Sequence, residues 1–267
     1  MDFTEEQVNR YARHILLPEV GGVGQAKLLQ SKVLVIGVGG LGSPLILYLA
    51  AAGVGIIGVI DDDEVDLSNL QRQVLHHTTD VGKPKVDSAA EAVASINPDI
   101  KIEKHPMRLD VSNAAELISR YDLVADGSDN FSTRFLINDA CYLAKKPLVS
   151  GAILRFDAQL STYRPFFGPD GEEPGPCYRC VFREPPPAGQ VPTCAEAGVL
   201  GAMCGMTGSF QATEVIKELL GIGESLAGSL LIFDGLSAEI RKIKVNRDPG
   251  CPLCGDNPTI TDLSIHE

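Results

Sequence analysis

The sequence predicts an α/β protein with a doubly wound, Rossmann-like sheet that is mainly parallel and ends in antiparallel strands. A run of four apolar residues, 33–36, leads directly into a glycine-rich turn at residues 37–42. Apolar runs then alternate with segments of helical periodicity as far as residue 144, and residues 157–163 alternate between polar and apolar. The first pattern is typical of parallel βαβ units, and the second of an antiparallel strand with one polar face.

Length and composition suit a single domain with a small appendage. The chain has 267 residues, of which 44% are hydrophobic, so it can bury a large core. Its formal net charge of −12 argues against a general nucleic-acid or anionic-membrane surface, because phosphate groups are neutralised by clustered Lys and Arg. The first residues lack the basic segment of a signal peptide, and glycines interrupt the longest apolar run, residues 45–60. We therefore expect a soluble, cytoplasmic protein that contacts neither membrane nor nucleic acid directly.

The first predicted element is a short amphipathic helix within an N-terminal helical arm, residues 1–30. Thr4 and Gln7 have the spacing of a capping box, and apolar residues then recur at helical period. Arg13 is at a polar position of this helix. On residue type alone, Arg13 is interpreted as a solvated charge.

The glycine-rich turn predicts a nucleotide site. A strand, a glycine turn and a helix with Pro44 among its early residues form the opening of a βαβ unit, in which Gly39, Gly40 and Gly42 let the backbone approach a phosphate. A second apolar run, residues 56–60, ends at Asp61, where such folds hydrogen-bond a ribose. These features alone also fit an oxidoreductase that uses a nicotinamide or flavin cofactor.

The residues that follow favour a triphosphate ligand. Ser68, Asn69 and Arg72 come shortly after Asp61, and Lys85 follows. Two cations and an amide suit the concentrated charge of a triphosphate better than a pyrophosphate, which helix amides alone can hold.

Further βαβ units place a second polar cluster near the glycine turn. Helices are predicted at residues 85–95 and 114–120, and strands at 100–105 and 122–126. Asp129 and Asn130 follow the fourth strand, at the sheet edge where such folds bind ligands. Local backbone bonding in a turn is the alternative for an isolated Asp-Asn pair. A helix at 131–144 and a hairpin of strands at 147–154 and 157–163 complete this half.

The last part of the chain contains most of the cysteines. Cys177, Cys180, Cys251 and Cys254 form two C-x-x-C pairs, which predict one structural zinc knuckle, with two redox dithiols as the alternative. Cys141 and Cys204 have no such mate and are expected to be buried. Cys194 follows a Pro- and Gly-rich surface loop, residues 165–193, and precedes a long helix that ends at Gly221. Strands at 230–233 and 239–245 follow, the second an expected edge strand.

Taken together and in order, these motifs resemble the MoeB/ThiF family, relatives of ubiquitin-activating enzymes, over nearly the whole chain. The resemblance implies an ATP-dependent adenylyltransferase that activates the C-terminal glycine carboxylate of a ubiquitin-like sulfur-carrier protein ending in Gly-Gly. The acyl-adenylate would serve sulfur transfer in molybdopterin, thiamin or tRNA-thiolation pathways. The motifs that carry the resemblance are residues 37–42, Asp61, residues 68–72, 83–85 and 128–130, and the two C-x-x-C pairs.

The resemblance also implies roles for individual residues. Arg72, Lys85 and Asp129 would act on the triphosphate, with Asp129 holding Mg²⁺, while Ser68, Asn69 and Asn130 would support the nucleotide. Arg13 would reach the ATP of a neighbouring subunit, which implies a homodimer. Cys194 matches a cysteine that forms an acyl thioester or a disulfide with the carrier in some members, whereas other members do not need theirs. Longer relatives continue into a sulfurtransferase domain, so we expect a separate sulfur donor here.

The expected organisation is a single ThiF-type adenylation domain, residues 1–267. It comprises the N-terminal helical arm (1–30), a nucleotide-binding half (31–163), a crossover loop (164–195) and a segment with the C-terminal helix, strands and zinc knuckle (196–267). Two alternatives remain at this point. An NAD-dependent oxidoreductase leaves the basic cluster and Asp129 unused, and a non-catalytic, zinc-stabilised protein that binds a nucleotide or a partner gives Arg72, Lys85 and Asp129 no chemical role.

Overall fold

A computed structural model describes residues 3–166, 173–187, 190 and 194–267, except for the side chains of residues 194 and 195. Within these residues, eight strands form one sheet in the order β3-β2-β1-β4-β5-β6-β7-β8. The first five are parallel, and β6 to β8 continue the sheet antiparallel. This arrangement confirms the predicted fold class. The strands are β1 (Lys32–Ile36), β2 (Ile56–Ile60), β3 (Lys101–His105), β4 (Leu123–Asp126), β5 (Leu148–Leu154), β6 (Asp157–Tyr163), β7 (Ser229–Asp234) and β8 (Glu239–Lys244).

Helices cover both faces of the sheet, because side chains of a parallel strand alternate between two buried faces. Val33 and Val35 of β1 pack with apolar residues of α3, α4 and α9, whereas Leu34 and Ile36 pack with residues of α5 and α6. The sheet is therefore doubly wound. The helices are α1 (Glu5–Ile15), α2 (Gly21–Gln30), α3 (Gly42–Ala52), α4 (Lys85–Ile96), α5 (Ala114–Ser119), α6 (Phe131–Ala144), α7 (Tyr178–Val181), α8 (Cys194–Ala197) and α9 (Gly201–Leu220).

The helix expected from residue 196 onward is interrupted. Gly198 has a φ of +80°, which ends α8 and separates it from α9. The backbone then pairs with the turn between β5 and β6: the Arg155 amide donates to the Gly198 carbonyl (3.1 Å), and the Leu200 amide donates to the Arg155 carbonyl (3.0 Å). A long-range contact thus overrides the local helical pattern.

Other elements can be compared with the sequence pattern in the same way. The first helix after the glycine turn begins at Gly42, so Pro44 is its third residue, and a β-carbon at Gly42 would collide with the Gly37 carbonyl. The arm contains a second helix, α2, whose glycine-rich sequence has little amphipathic pattern. At the other end, β8 is fully exposed at the sheet edge, as expected.

No helix in the described part of the chain combines the length and the apolar character that crossing a bilayer requires.

Candidate nucleotide site and cysteine cluster

The glycine turn lies at the point where the winding of the sheet reverses. The Gly37 amide donates to the Ile60 carbonyl of β2 (3.0 Å), and the Gly127 amide donates to the Ile36 carbonyl (2.9 Å). Gly37 has a φ of +89°, and a β-carbon there would lie 3.0 Å from the Gly127 carbonyl oxygen. The ends of β1, β2 and β4 therefore meet at this turn, which is where open α/β sheets bind ligands.

One cavity beside the turn brings several predicted site residues together. Gly39 and Gly40 line it, as do Asp61, Arg72, Lys85 and Asp129. Gln73, Ser128, Arg134 and Cys204 complete much of its wall. Residues that are far apart in the sequence thus share one small space containing both cations and carboxylates.

Four predicted site residues lie next to this cavity. Gly42 is the buried first residue of α3. Ser68 and Asn69 form a short 3₁₀ turn, and the Ser68 carbonyl accepts a hydrogen bond from Nη1 of Arg72 (3.0 Å), so this turn orients Arg72. Asn130 caps α6, where its Oδ1 accepts from the Thr133 amide (2.9 Å).

A second cavity lies on the other side of Asp61. It shares Gly37, Asp61 and Asp129 with the first cavity and adds apolar side chains and polar ones from two loops. The added residues include Ile36, Ile60, Met107, Leu109, Asn130 and Thr133. A ligand with a flat base, a sugar and a phosphate chain could therefore extend across Asp61 through both cavities.

The positive charge of Lys85 in the first cavity is partly balanced by neighbouring carboxylates of the protein. Nζ of Lys85 lies 2.6 Å from Oδ2 of Asp63 and 3.8 Å from Oδ1 of Asp61. Oδ2 of Asp61 accepts from the Val38 amide of the glycine turn (2.7 Å). Burial raises the pKa of Asp61 above its usual value, although Lys85 and this amide act in the opposite direction.

The cavity is also where buried polar atoms lack partners. Among the described residues, five buried side-chain atoms have no hydrogen bond, and three of them belong to residues that line this cavity: Oε1 of Gln73, Oγ of Ser128 and Nε of Arg134. Unsatisfied buried groups are uncommon in folded proteins and often mark functional sites. Gln73 and Arg134 were not predicted as site residues. Arg134 could have been predicted as a site residue from its position, because it lies one helical turn after Asn130, at the end of α6 that faces the cavity.

Arg13 lies at the opposite end of the sheet within the same chain. The neighbouring Tyr11 is buried, and its hydroxyl accepts from Nδ2 of Asn97 (2.8 Å). Asn97 caps the C-terminal end of α4 just before β3. It therefore lies at the amino ends of the parallel strands, whereas the glycine turn lies at their carboxyl ends. Arg13 is exposed and does not line the cavity of its own chain.

The four cysteines of the C-x-x-C pairs form one cluster. Their sulfur atoms lie within 4.8 Å of one another, with separations of 3.5 Å for Cys177–Cys251 and 3.4 Å for Cys180–Cys254. A tetrahedral zinc with Zn–S bonds of about 2.3 Å places its sulfurs about 3.8 Å apart. The cluster fits a zinc knuckle and is too widely spaced for disulfides.

A buried ion pair joins this knuckle to α6. Arg179, between Cys177 and Cys180, donates from Nε and Nη2 to the two oxygens of Asp139 (2.8 and 2.7 Å). His266 lies 2.8 Å from the same carboxylate. The first cavity, which we call the nucleotide cavity, lies at the start of α6. The four-cysteine cluster and the last residues of the chain therefore support the helix that carries Arg134.

The remaining cysteines differ in what the structure describes. Cys141 and Cys204 are buried, as expected, and burial raises the pKa of Cys141. The backbone of Cys194 begins α8, whereas its side chain lies outside the described residues, as does much of the crossover loop.

Comparison with known proteins identifies the family. Residues 11–253 match the ThiF family. The sulfur carrier protein adenylyltransferase of Thermus thermophilus is 50% identical, with 100% of this chain and 98% of that protein aligned. The SAMP-activating enzyme E1 of Haloferax volcanii is 49% identical, with 98% and 94% aligned. The probable adenylyltransferase/sulfurtransferase MoeZ of Mycobacterium tuberculosis is 51% identical, and the match covers 99% of this chain but 65% of MoeZ.

A solved structure shows the same fold at lower identity. Escherichia coli MccB with ATP aligns with a TM-score of 0.75 and 24% identity over 92% of this chain and 74% of that one. The sequence match from residue 11 to residue 253, together with relatives that are about half identical along their whole length, shows that this chain belongs to the ThiF family.

Proposed function

We propose that this chain is an ATP-dependent adenylyltransferase that activates the C-terminal glycine carboxylate of a ubiquitin-like sulfur-carrier protein. The observation that carries the proposal is the cavity at the glycine turn, where Arg72, Lys85 and Asp129 meet three buried polar atoms without partners. The names of its relatives, sulfur carrier protein adenylyltransferase and SAMP-activating enzyme E1, supply the class of substrate.

The two cavities suggest how ATP lies in the site. The adenine would occupy the cavity near Met107 and Leu109, which offers apolar surface, and the ribose would bond to Asp61 between the cavities. The phosphates would then follow the backbone at Gly39 and Gly40 toward Arg72 and Lys85. Ser68 and Asn69 would act by holding the turn that orients Arg72.

Asp129 is the residue proposed to hold Mg²⁺. Its carboxylate is exposed at the junction of the cavities, and Nδ2 of Asn130 lies 3.5 Å from Oδ1. Carboxylate oxygens are preferred Mg²⁺ ligands, and the ion would neutralise phosphate charge when bound. Asn130 would help to orient Asp129. The four-cysteine cluster is proposed to hold a structural Zn²⁺ with no open position for substrate.

The reaction needs an oriented anion more than a base. A carboxylate oxygen of the carrier tail forms a bond to the α-phosphorus, and the bond from that phosphorus to the bridging oxygen breaks. The electron pair leaves with pyrophosphate, and an acyl-adenylate remains. The carboxylate is already ionised at pH 7, so no general base is required. Arg72 and Lys85 contribute by positioning the triphosphate and stabilising charge as it shifts to the leaving group.

Arg13 and Cys194 are assigned roles that involve a second protein chain or a second step. Because Arg13 lies away from its own cavity, it would contact the ATP of a partner subunit in a homodimer. Val199 lines the cavity and Cys194 lies five residues earlier in the chain, so we assign Cys194 to an acyl thioester with the activated tail, in which its thiolate bonds to the tail carbonyl carbon and AMP leaves. A sulfur donor would then convert the activated tail to a thiocarboxylate in the cytoplasm.

Carrier-dependent ATP–pyrophosphate exchange tests the proposed function. We expect exchange with ATP and Mg²⁺ only when a carrier ending in Gly-Gly is present, and no measurable NAD binding. Binding of NAD without exchange would instead support an oxidoreductase. ATP binding without exchange by any carrier would support a non-catalytic binding protein. Pull-down with carriers of molybdopterin, thiamin and tRNA-thiolation pathways would identify the pathway.

A further inference from the structure

A third cavity adjoins the nucleotide cavity on the side away from Asp61. It has a volume of about 270 Å³ and lies between α6, β5, β6 and α7. Asp129, Arg134 and Ile153 line both cavities. Most other wall residues are apolar or aromatic, including Phe131, Leu154, Leu160, Tyr163, Tyr178 and Phe182. An uncharged chain could occupy this space with its end at the nucleotide cavity.

Arg134 is the cation at the boundary between these two cavities. It is only 8% exposed, and its Nη2 donates to the Ser128 carbonyl (2.8 Å). Its guanidinium carbon lies 5.6 Å from the centroid of the Phe131 ring. Nε has no hydrogen-bond partner among the described residues. The guanidinium also interacts with the Tyr178 hydroxyl, so it is fixed in place while its Nε is unused.

The other two cations of the site are already engaged on the far side of the nucleotide cavity. Lys85 contacts the carboxylates of Asp61 and Asp63, and Arg72 donates to the Ser68 carbonyl. Neither residue lines the apolar cavity. A second anion that approaches the triphosphate from that cavity would meet Arg134 first.

We propose that Arg134 binds the terminal carboxylate of the carrier tail and holds it at the opening between the two cavities, facing the α-phosphate. This inference rests on the proposed function. The planar fork of a guanidinium matches a carboxylate, and the apolar wall strengthens the interaction by excluding water. Arg134 thereby offsets the repulsion between the nucleophile and the triphosphate, which makes it a catalytic residue in contact with substrate.

The test compares two forms of a Gly-Gly-terminated sulfur carrier, one with a free C-terminal carboxylate and one with a C-terminal amide. Calorimetry measures the binding of each form in the presence of a non-hydrolysable ATP analogue. We expect the wild type to prefer the carboxylate form by about 10- to 100-fold, as for hydrogen bonds to a charged group. Arg134→Gln should bind both forms alike, and its affinity for the ATP analogue, measured without carrier, should fall by a smaller factor than the lost preference.

The control is Arg120→Gln, an exposed arginine paired with Glu103, which should keep the full preference. If Arg134→Gln retains the preference, the assignment is wrong and Arg134 has a structural role; if it loses ATP-analogue binding to the same extent as carrier binding, the assignment is also wrong and Arg134 acts on the nucleotide. If Arg134→Gln does not fold, the carboxylate preference and ATP-analogue binding are measured on Arg134→Lys instead. A reduced preference with normal ATP-analogue binding supports the proposal, and a full preference contradicts it. A wild type that exchanges pyrophosphate but shows no preference overturns this inference alone, whereas a wild type without exchange overturns the proposed function.

Discussion

Lys85 illustrates how charge is arranged at the scale of single residues. It is buried, and it carries one positive charge while contacting two carboxylates, Asp61 and Asp63. This part of the cavity is therefore not strongly positive before ATP binds. Among the described residues, Arg72 forms no ion pair with a carboxylate and is oriented by the Ser68 carbonyl, so much of the neutralisation of the triphosphate is assigned to Arg72 and Mg²⁺.

Arg72→Ala should abolish carrier-dependent pyrophosphate exchange, with a loss of at least about 100-fold, because removal of one preorganised charged donor typically has this effect. The thermal unfolding temperature should change little, since Arg72 is only partly buried. Asp129→Ala should behave in the same way. Exchange near the wild-type rate in either variant would remove these residues from the site.

The pH dependence of ATP binding should report on Asp61. Burial raises its pKa, so the free protein protonates this carboxylate at a higher pH than an ordinary aspartate. Protonation removes an acceptor for the ribose, and ATP affinity should therefore fall as the pH decreases through that raised pKa. Asp61→Asn should bind ATP about 10- to 100-fold more weakly at pH 7 and lose this pH dependence. Titration calorimetry at several pH values measures both effects, and an unchanged profile in the variant would exclude Asp61.

At the scale of elements, the C-terminal segment supports the helix that borders the site. The knuckle holds Arg179, which is paired with Asp139 on α6, and His266 contacts the same carboxylate. The spacing of the two C-x-x-C pairs predicted the four-cysteine cluster. It did not predict this ion pair, because the spacing of Arg179 and Asp139 along the chain follows no local motif, and only packing of α7 against α6 brings them together.

Loss of the metal should destabilise the protein. We expect about one zinc per chain by elemental analysis, and Cys254→Ser should lose the zinc. The unfolding temperature should fall by on the order of 10 °C, since each kcal/mol shifts it by about 2–4 °C in a chain of this size. Cys141→Ser, outside the cluster, should retain zinc. Purified wild type that is free of zinc and equally stable would contradict the proposed knuckle.

Asp139→Ala should lower the free energy of unfolding by about 3–5 kcal/mol, because it leaves Arg179 buried without its partner. Burial acts to raise the pKa of Asp139, but hydrogen bonds from His266 and Arg179 outweigh it and hold the pKa below the usual value of 3.8. A lowered carboxyl pKa stabilises the fold above the unfolded-state value and loses this effect as the pH falls through the folded-state value. Denaturant unfolding should therefore show that Asp139→Ala lowers the free energy of unfolding strongly at pH 7 and less strongly in acid. The exposed Glu224→Gln serves as control.

At the scale of the whole molecule, the sheet order decides which residues can share a site. The reversal between β1 and β4 brings the ends of β1, β2 and β4 together, and with them Asp61 and Asp129. The contact of Tyr11 with Asn97 places α1, which carries Arg13, at the opposite end of the parallel strands. The role proposed for Arg13 therefore depends on a second copy of the chain.

Mixing two inactive variants tests this requirement. Arg13→Ala and Asp129→Ala should each lack exchange activity. After mixing and subunit exchange, about a quarter of the sites should combine Asp129 from one chain with Arg13 from the other, and activity should return to about that fraction. Light scattering should show a dimer throughout. Absence of recovery despite formation of mixed dimers would mean that Arg13 does not act across the interface.

The sequence by itself determined the fold class, the glycine turn, the strands that follow it and the cysteine pairs. These features depend on local periodicity and on short motifs, which are complete within a few residues. Tertiary structure decided that Arg134 and Gln73 are buried at the cavity, that the helix after Cys194 is interrupted and that Arg13 lies away from the site of its own chain. The physical reason is that burial and side-chain contacts depend on the packing of segments that are far apart in the sequence. The sequence alone does not give the distances between those segments.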